Sequence, residues 1–109
     1  MAGWFELKKT DSGQFRFNLK AGNSETILTS ESYKAKASAE NGIASVQKNC
    51  GNSSNFEKLV AKNGKYYFVL KAANKQIIGN SQMYASESGR DNGIESVKKN
   101  GKYKTVKEL

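Results

Sequence analysis

The chain has 109 residues, enough for about one domain, with 37% apolar residues and a formal net charge of +8. It has no histidine and a single cysteine, Cys50, which removes the usual neutral-pH base, most zinc sites and any internal disulfide. No stretch approaches the roughly twenty apolar residues of a membrane span, Met1–Glu6 has no basic segment leading into an apolar one, and a reducing, cytoplasmic setting is expected.

The first predicted element is a short strand around Trp4 to Lys9. A turn at Asp11-Ser12-Gly13 leads to the clearest strand, Gln14 to Ala21. There Phe15, Phe17, Leu19 and Ala21 alternate with Gln14, Arg16, Asn18 and Lys20, the period-two pattern of a strand with one buried face. A second turn at Gly22-Asn23 precedes a third strand near Thr26–Thr29. The loop Ser30-Glu31-Ser32-Tyr33 then leads to a helix from about Ala37 to Asn49, with Ala39, Ile43, Val46 and Cys50 on one face at helical spacing.

The remainder repeats this plan with an offset of 51 and no gap from Phe5 to Asn100. Phe5-Glu6 recurs as Phe56-Glu57, Leu19-Lys20-Ala21 as Leu70-Lys71-Ala72, and Asn41-Gly42-Ile43 as Asn92-Gly93-Ile94. Two copies of one folding unit follow, repeat 1 over about 4–51 and repeat 2 over about 55–109, in one pseudo-two-fold domain spanning 1–109. A fifty-residue unit alone buries too little surface to be comfortably stable, so the copies are expected to share a core. In the second copy Asn63-Gly64 signals a hairpin, Ala73-Asn74 a turn, Gln76–Ile78 a strand, and Ser88–Asn100 a helix. Asn100-Gly101 suits a helix end where a left-handed residue is wanted. Gly42 and Gly93 stand inside the helices at a cost of about 1 kcal/mol against alanine, which predicts close packing against the sheet. Glu40 and Asp91 fall early in the helices, where acidic groups favour the dipole.

These residues resemble the YegP-like family of small bacterial proteins. The likeness rests on Phe15-Arg16-Phe17-Asn18-Leu19-Lys20-Ala21-Gly22-Asn23, the Tyr33 loop and Asn41-Gly42-Ile43-Ala44-Ser45-Val46. In the second half it rests on Leu70-Lys71-Ala72-Ala73-Asn74, Gln76-Ile77-Ile78-Gly79 and Ser81-Gln82-Met83-Tyr84. The resemblance implies an α+β fold of tandem β-β-β-α-β units sharing one antiparallel sheet, helices packed on it and C-terminal strands exchanged between repeats. Lys102–Leu109 then supplies a final strand, with Tyr103, Thr105 and Val106, and the chain is an internal pseudo-dimer expected to be monomeric. The resemblance implies no activity and no catalytic residue.

The residues themselves point to no enzyme class. Cys50 has no histidine to activate it and lies on an apolar helix face, where it reads as a small buried residue. Carboxylates are scattered, Asn63-Gly64-Lys65 is a turn and not a phosphate loop, and neither cofactor nor metal is expected. The leading reading is a non-enzymatic binding or scaffolding module with an unidentified partner, another protein being the first candidate. A rival is nucleic-acid binding through a basic sheet face and the lysine-rich C-terminus, using Arg16, Lys20, Lys65, Tyr67, Lys71, Lys102 and Lys104. Residues 1–51 carry seven basic and five acidic residues, and 52–109 carry eleven and five, so the charge is concentrated in the second half. A weaker rival is a small-ligand site or enzyme built from Ser30 and Tyr33 with their twins Ser81 and Tyr84.

Overall fold

The computed structural model describes residues 3–109; Met1 and Ala2 lie outside the described residues. The first unit contains β1 (Trp4–Lys9), β2 (Phe15–Lys20), β3 (Thr26–Ser30) and α1 (Lys36–Asn49). After a short 3-10 turn, the second contains β4 (Phe56–Val60), β5 (Tyr66–Lys71), β6 (Ile77–Asn80), α2 (Glu87–Asn100) and β7 (Val106–Glu108). One sheet holds all seven strands in the order β4-β5-β6-β3-β2-β1-β7. At its centre Thr29 pairs with Asn80, its own counterpart at the 51-residue offset, so the pseudo-two-fold axis passes between β3 and β6.

Both β1–β2 and β4–β5 are hairpins closed by tight turns with Gly13 and Gly64 at φ of 84° and 83°. Asn63 does not share the positive φ; its side chain instead accepts from the Lys65 backbone N–H at 3.0 Å. At the next turns the left-handed residue is Ser24 or Lys75, one past the expected Gly22-Asn23 and Ala73-Asn74 pairs. Asn23 and Asn74 brace these turns by accepting from the backbone two residues on.

Chain exchange follows from the two long crossings. After α1 the chain enters β4, which pairs with β5 of the second unit. After α2 it enters β7, which pairs with β1 of the first. The other five pairings are antiparallel, whereas β7 runs parallel to β1, making the sheet mixed. Residue alternation fixes which face a side chain takes but not the direction of a three-residue edge strand. The outer side of β4 pairs with no strand among the described residues. This explains one break in the repeat: Leu7, beside β7, is buried, whereas its twin Lys58, on the open edge, is exposed and paired with Asp91 at 3.2 Å.

Both helices cover one face of the sheet, and the aromatic packing beneath them is duplicated. Phe5 meets Phe17 edge-on at 5.9 Å and Phe17 stacks on Tyr33 at 6.3 Å. Phe56, Phe68 and Tyr84 repeat this at 5.7 and 6.4 Å. Each fully buried Phe contributes about 2–3 kcal/mol by removal from water. The tyrosine ring is wedged against the helix at the internal glycine. A Cβ on Gly42 would lie 2.6 Å from the Tyr33 hydroxyl and 2.8 Å from Phe17, and one on Gly93 would be closer still to Tyr84. The expected face of Ala39, Ile43, Val46 and Cys50 is buried. Gly101 departs from expectation: its φ is −66°, so it is right-handed. Its lack of a side chain serves packing, because a Cβ there would lie 2.8 Å from Cys50 Sγ.

Candidate binding face

Alternation along each strand divides the sheet into a helix-covered face and an uncovered one. Phe17 and Leu19 turn toward the helices, so Arg16, Asn18 and Lys20 turn away. On β5, Phe68 and Leu70 turn in and Tyr67, Val69 and Lys71 turn away. The uncovered face also receives Trp4, Glu6 and Lys8 from β1, Glu57 and Leu59 from β4, and Lys107 from β7. Val69 marks the division well, since it is 5% exposed yet stands apart from the main core cluster.

Four of the sequence-predicted residues therefore meet on this face: Arg16, Lys20, Tyr67 and Lys71. Two of the four are already engaged. Lys20 pairs with Glu6 at 3.9 Å and donates to Thr26 Oγ1 at 2.6 Å, and its twin Lys71 pairs with Glu57. Arg16 is exposed and donates to Ser32 Oγ at 2.9 Å. Lys65 is an exposed turn residue at the end of the hairpin. Lys102 and Lys104 go elsewhere: Lys102 lies against Gly51 at the end of α1, and Lys104 lines the groove between α1 and β7. The basic residues thus do not form one stripe, because the C-terminal segment passes over the helix side before it reaches the sheet edge.

Sequence reading missed two features of this face. One is Trp4, which shares the phase of Glu6 and Lys8; its indole N–H donates to Glu6 at 3.0 Å and Lys107 sits 4.5 Å above its ring. The other is an apolar patch formed by Leu59, Tyr67, Val69 and Ile77. Leu59 is directly opposite Tyr67, and Ile77, 45% exposed, is opposite Lys71. At the same offset the first copy has Lys8, Arg16, Asn18 and Thr26. All four exchanges run from polar to apolar, and that common direction was the signal available in the sequence. Near the first-copy residues, Lys8, Lys9, Thr10, Asp11, Arg16, Asn18 and Thr29 line a cleft of about 340 Å³.

The Ser/Tyr loops are occupied by folding. Ser30 Oγ accepts from the Phe17 N–H at 2.9 Å and donates to the Glu31 carbonyl at 2.7 Å. Ser81 does the same for Phe68 and Gln82, at 3.0 and 2.8 Å. Both serines are 3% exposed. Tyr33 and Tyr84 lie over the core phenylalanines, and burial, then the Glu31 charge, raises the Tyr33 pKa. Packing and backbone hydrogen bonds occupy all four residues. The Cys50 thiol is buried, and burial raises its pKa despite the opposing charge of Lys102. Among the described residues no three His, Cys, Asp or Glu side chains gather as a metal-binding group, and no helix is long and apolar enough to cross a membrane.

The family described as "Domain of unknown function (DUF1508)" matches twice, over residues 11–57 and 61–108. The chain belongs to this YegP-like family. Its units begin at the second strand of each copy and run into the exchanged strand, the same period cut at a different phase. A UPF0339 protein of Acinetobacter baylyi is 67% identical over 109 residues, covering all of this chain and 98% of that protein. YegP of Escherichia coli K12 is 63% identical over 108 residues, covering 99% and 98%. The solution structure of E. coli yegP, a protein of unknown function, superposes with a TM-score of 0.94 over 99% of this chain and 93% of that one, at 63% identity. A Shewanella oneidensis UPF0339 solution structure gives 0.94 at 60% identity, over 100% and 92%.

Proposed function

We propose that the protein is a non-enzymatic binding module that engages its partner through the helix-free face of the sheet, acting in the cytoplasm as a monomer. The observation that carries this reading is the uncovered patch of Leu59, Tyr67, Val69 and Ile77 beside exposed Lys8 and Arg16. Packing within the face buries Val69, but solvent alone gives no reason to exchange Lys8, Arg16 and Thr26 for Leu59, Tyr67 and Ile77, which stay half-buried or exposed. The monomer is supported by the copies completing one sheet and one core within a chain, and light scattering at twice the chain mass would contradict it.

The face is tested by placing a photo-reactive amino acid at Tyr67 or Arg16, with controls at the exposed helix positions Lys48 and Glu95, in cells of the native host. Discrete adducts from the sheet positions and none from the helices are expected. Adducts from the helix positions alone, or from neither set, would refute the reading. Because the cross-link is indifferent to partner chemistry, it tests the face and not the identity of what binds.

A further inference from the structure

Resting on that reading, we infer that the partner is an acidic, amphipathic helical segment of another protein, its apolar side chains on Leu59, Tyr67 and Ile77, over the buried Val69, and its carboxylates on Lys8 and Arg16. The charge argument comes first. Lys20 and Lys71 are neutralised by Glu6 and Glu57, and Lys107 caps Trp4. By contrast, Lys8 and Arg16 have no carboxylate within ion-pair distance among the described residues. Asp11 shares their cleft, so the region remains cationic by two charges to one. An acidic group docking there meets unspent positive charge.

The geometry sets the length. The apolar half occupies β4, β5 and β6, and the cationic half β2 and β1. From Tyr67 on β5 to Arg16 on β2 is three strand spacings, or about 14 Å across the sheet, and about four residues, or about 13 Å, along it, because Val69 and Asn18 are level across the central strands. A helix laid diagonally over the strands covers the resulting distance of about 20 Å in about thirteen residues at 1.5 Å each. The expected segment is therefore apolar at one end of its buried stripe and acidic about three and a half turns away. Such a helix would lie on the sheet opposite α1 and α2, completing a third layer.

Single-stranded nucleic acid fits less well. Base stacking needs accessible rings in series, and this face offers Tyr67 alone. Trp4 is covered by Lys107, and Leu59, Val69 and Ile77 have no π-face.

The test is a titration of the isotopically labelled full chain, followed by amide NMR, with three probes. The first is a synthetic peptide of about five helical turns, leucine-rich at one end of one face and glutamate-rich at the other. The second is the same peptide with every Glu replaced by Lys, and the third is oligo-dT. Saturable shifts at Lys8, Arg16, Leu59, Tyr67, Val69 and Ile77 with the acidic peptide, and none with the lysine peptide, are expected. Tyr67→Ala and Arg16→Glu should each weaken that binding by about fivefold or more, with the unperturbed parts of the spectrum reporting that the fold is retained. Equal binding of both peptides, shifts confined to the helix layer, or tighter binding of oligo-dT would overturn the inference. Oligo-dT shifts on the sheet face with no peptide shifts would leave the binding face standing and remove the partner class. No shifts with any probe would overturn the inference while the cross-link still decides the face.

Discussion

Gly89 and Gly93 lie one helical turn apart in α2, and replacing each by alanine should change stability in opposite directions. Alanine in place of glycine gains about 1 kcal/mol of helix propensity in a helix interior, and less near an end. At Gly89 the new methyl would meet Ser86 Oγ at 3.4 Å and Tyr84 Cδ1 at 3.5 Å, ordinary contact. Gly89→Ala should therefore stabilise by about 0.5 kcal/mol. At Gly93 the methyl would lie on the Tyr84 phenol, 2.6 Å from Cζ and 3.1 Å from Phe68 Cε2. Tyr84 cannot simply swing away, because its ring is stacked on Phe68 and its backbone pairs with Tyr66. Overpacking costs about 1–3 kcal/mol, and contacts this short belong in the upper half of that range, so the balance for Gly93→Ala is a loss of about 1–2 kcal/mol after the propensity gain. In thermal unfolding by circular dichroism that is a fall in Tm of roughly 5–10 °C, against a small rise for Gly89→Ala. Gly42→Ala should behave like Gly93→Ala, since it meets Tyr33 and Phe17 in the same way. If Gly93→Ala were as stable as the parent, the wedged tyrosine would not be the reason for the helix glycines.

The two copies differ at the start of their helices. Ser86 caps α2 by accepting from the Gly89 N–H at 3.0 Å, whereas Ala35, in the same extended conformation, leaves α1 without a side-chain cap. Ala35→Ser should stabilise by about 0.5–1 kcal/mol, read from the urea midpoint, with Ser86→Ala losing a similar amount. Ser81→Ala and Ser30→Ala would each strand a buried backbone N–H and should destabilise by about 1–3 kcal/mol; unchanged midpoints would mean these hydroxyls are free for another task. Asp91 is held below the usual carboxylate range, chiefly by the hydrogen bond from Lys58 and further by Arg90. Its folded-state pKa is depressed, so its stabilisation is present above the unfolded value and is lost as pH falls through the folded one. A carbon-detected NMR titration should show Asp91 titrating low and moving up in Lys58→Met.

Most of the architecture was legible because the fold uses local rules twice. Phe15 to Ala21 alternates cleanly, Gly13 and Gly64 mark their turns, and Ile43 and Val46 set the helix face, so all elements but the last strand fall within a residue or two of expectation; β7 is only Val106–Glu108, and Tyr103 and Thr105 stay outside it. Gly42 and Gly93 foretold tight packing, but not that the neighbour would be a tyrosine from the loop before the helix. What depended on contacts distant in sequence was not legible. The parallel direction of β7, the right-handed Gly101 under Cys50 and the capping of Trp4 by Lys107 each join the end of the chain to an earlier element. At the face, Arg16 and Tyr67 were visible as a mismatched pair. The patch around them emerged only once the register placed Leu59 opposite Tyr67 and Val69 beside Asn80.

The duplication itself bears on how such a face arises. Two identical subunits around a two-fold axis present every residue twice, at symmetric positions. A pair of first-copy units would show Lys8 and Arg16 on both halves, and a pair of second-copy units would show Leu59 and Tyr67 on both. Neither assembly can set an apolar half beside a cationic one. A single chain carrying both copies can, because each copy varies independently while Phe17 and Phe68, Tyr33 and Tyr84, and Gly42 and Gly93 hold the common fold. On the binding reading, the fused chain has therefore gained polarity across the face, and with it the ability to orient an asymmetric partner. Interchanging the outward residues so that both halves carry Lys8, Arg16, Asn18 and Thr26, or their counterparts, would restore the symmetry at little cost to the core. Either symmetrised chain should fold and lose the oriented binding; retention of partner binding by both would show that polarity across the sheet is not what the partner reads.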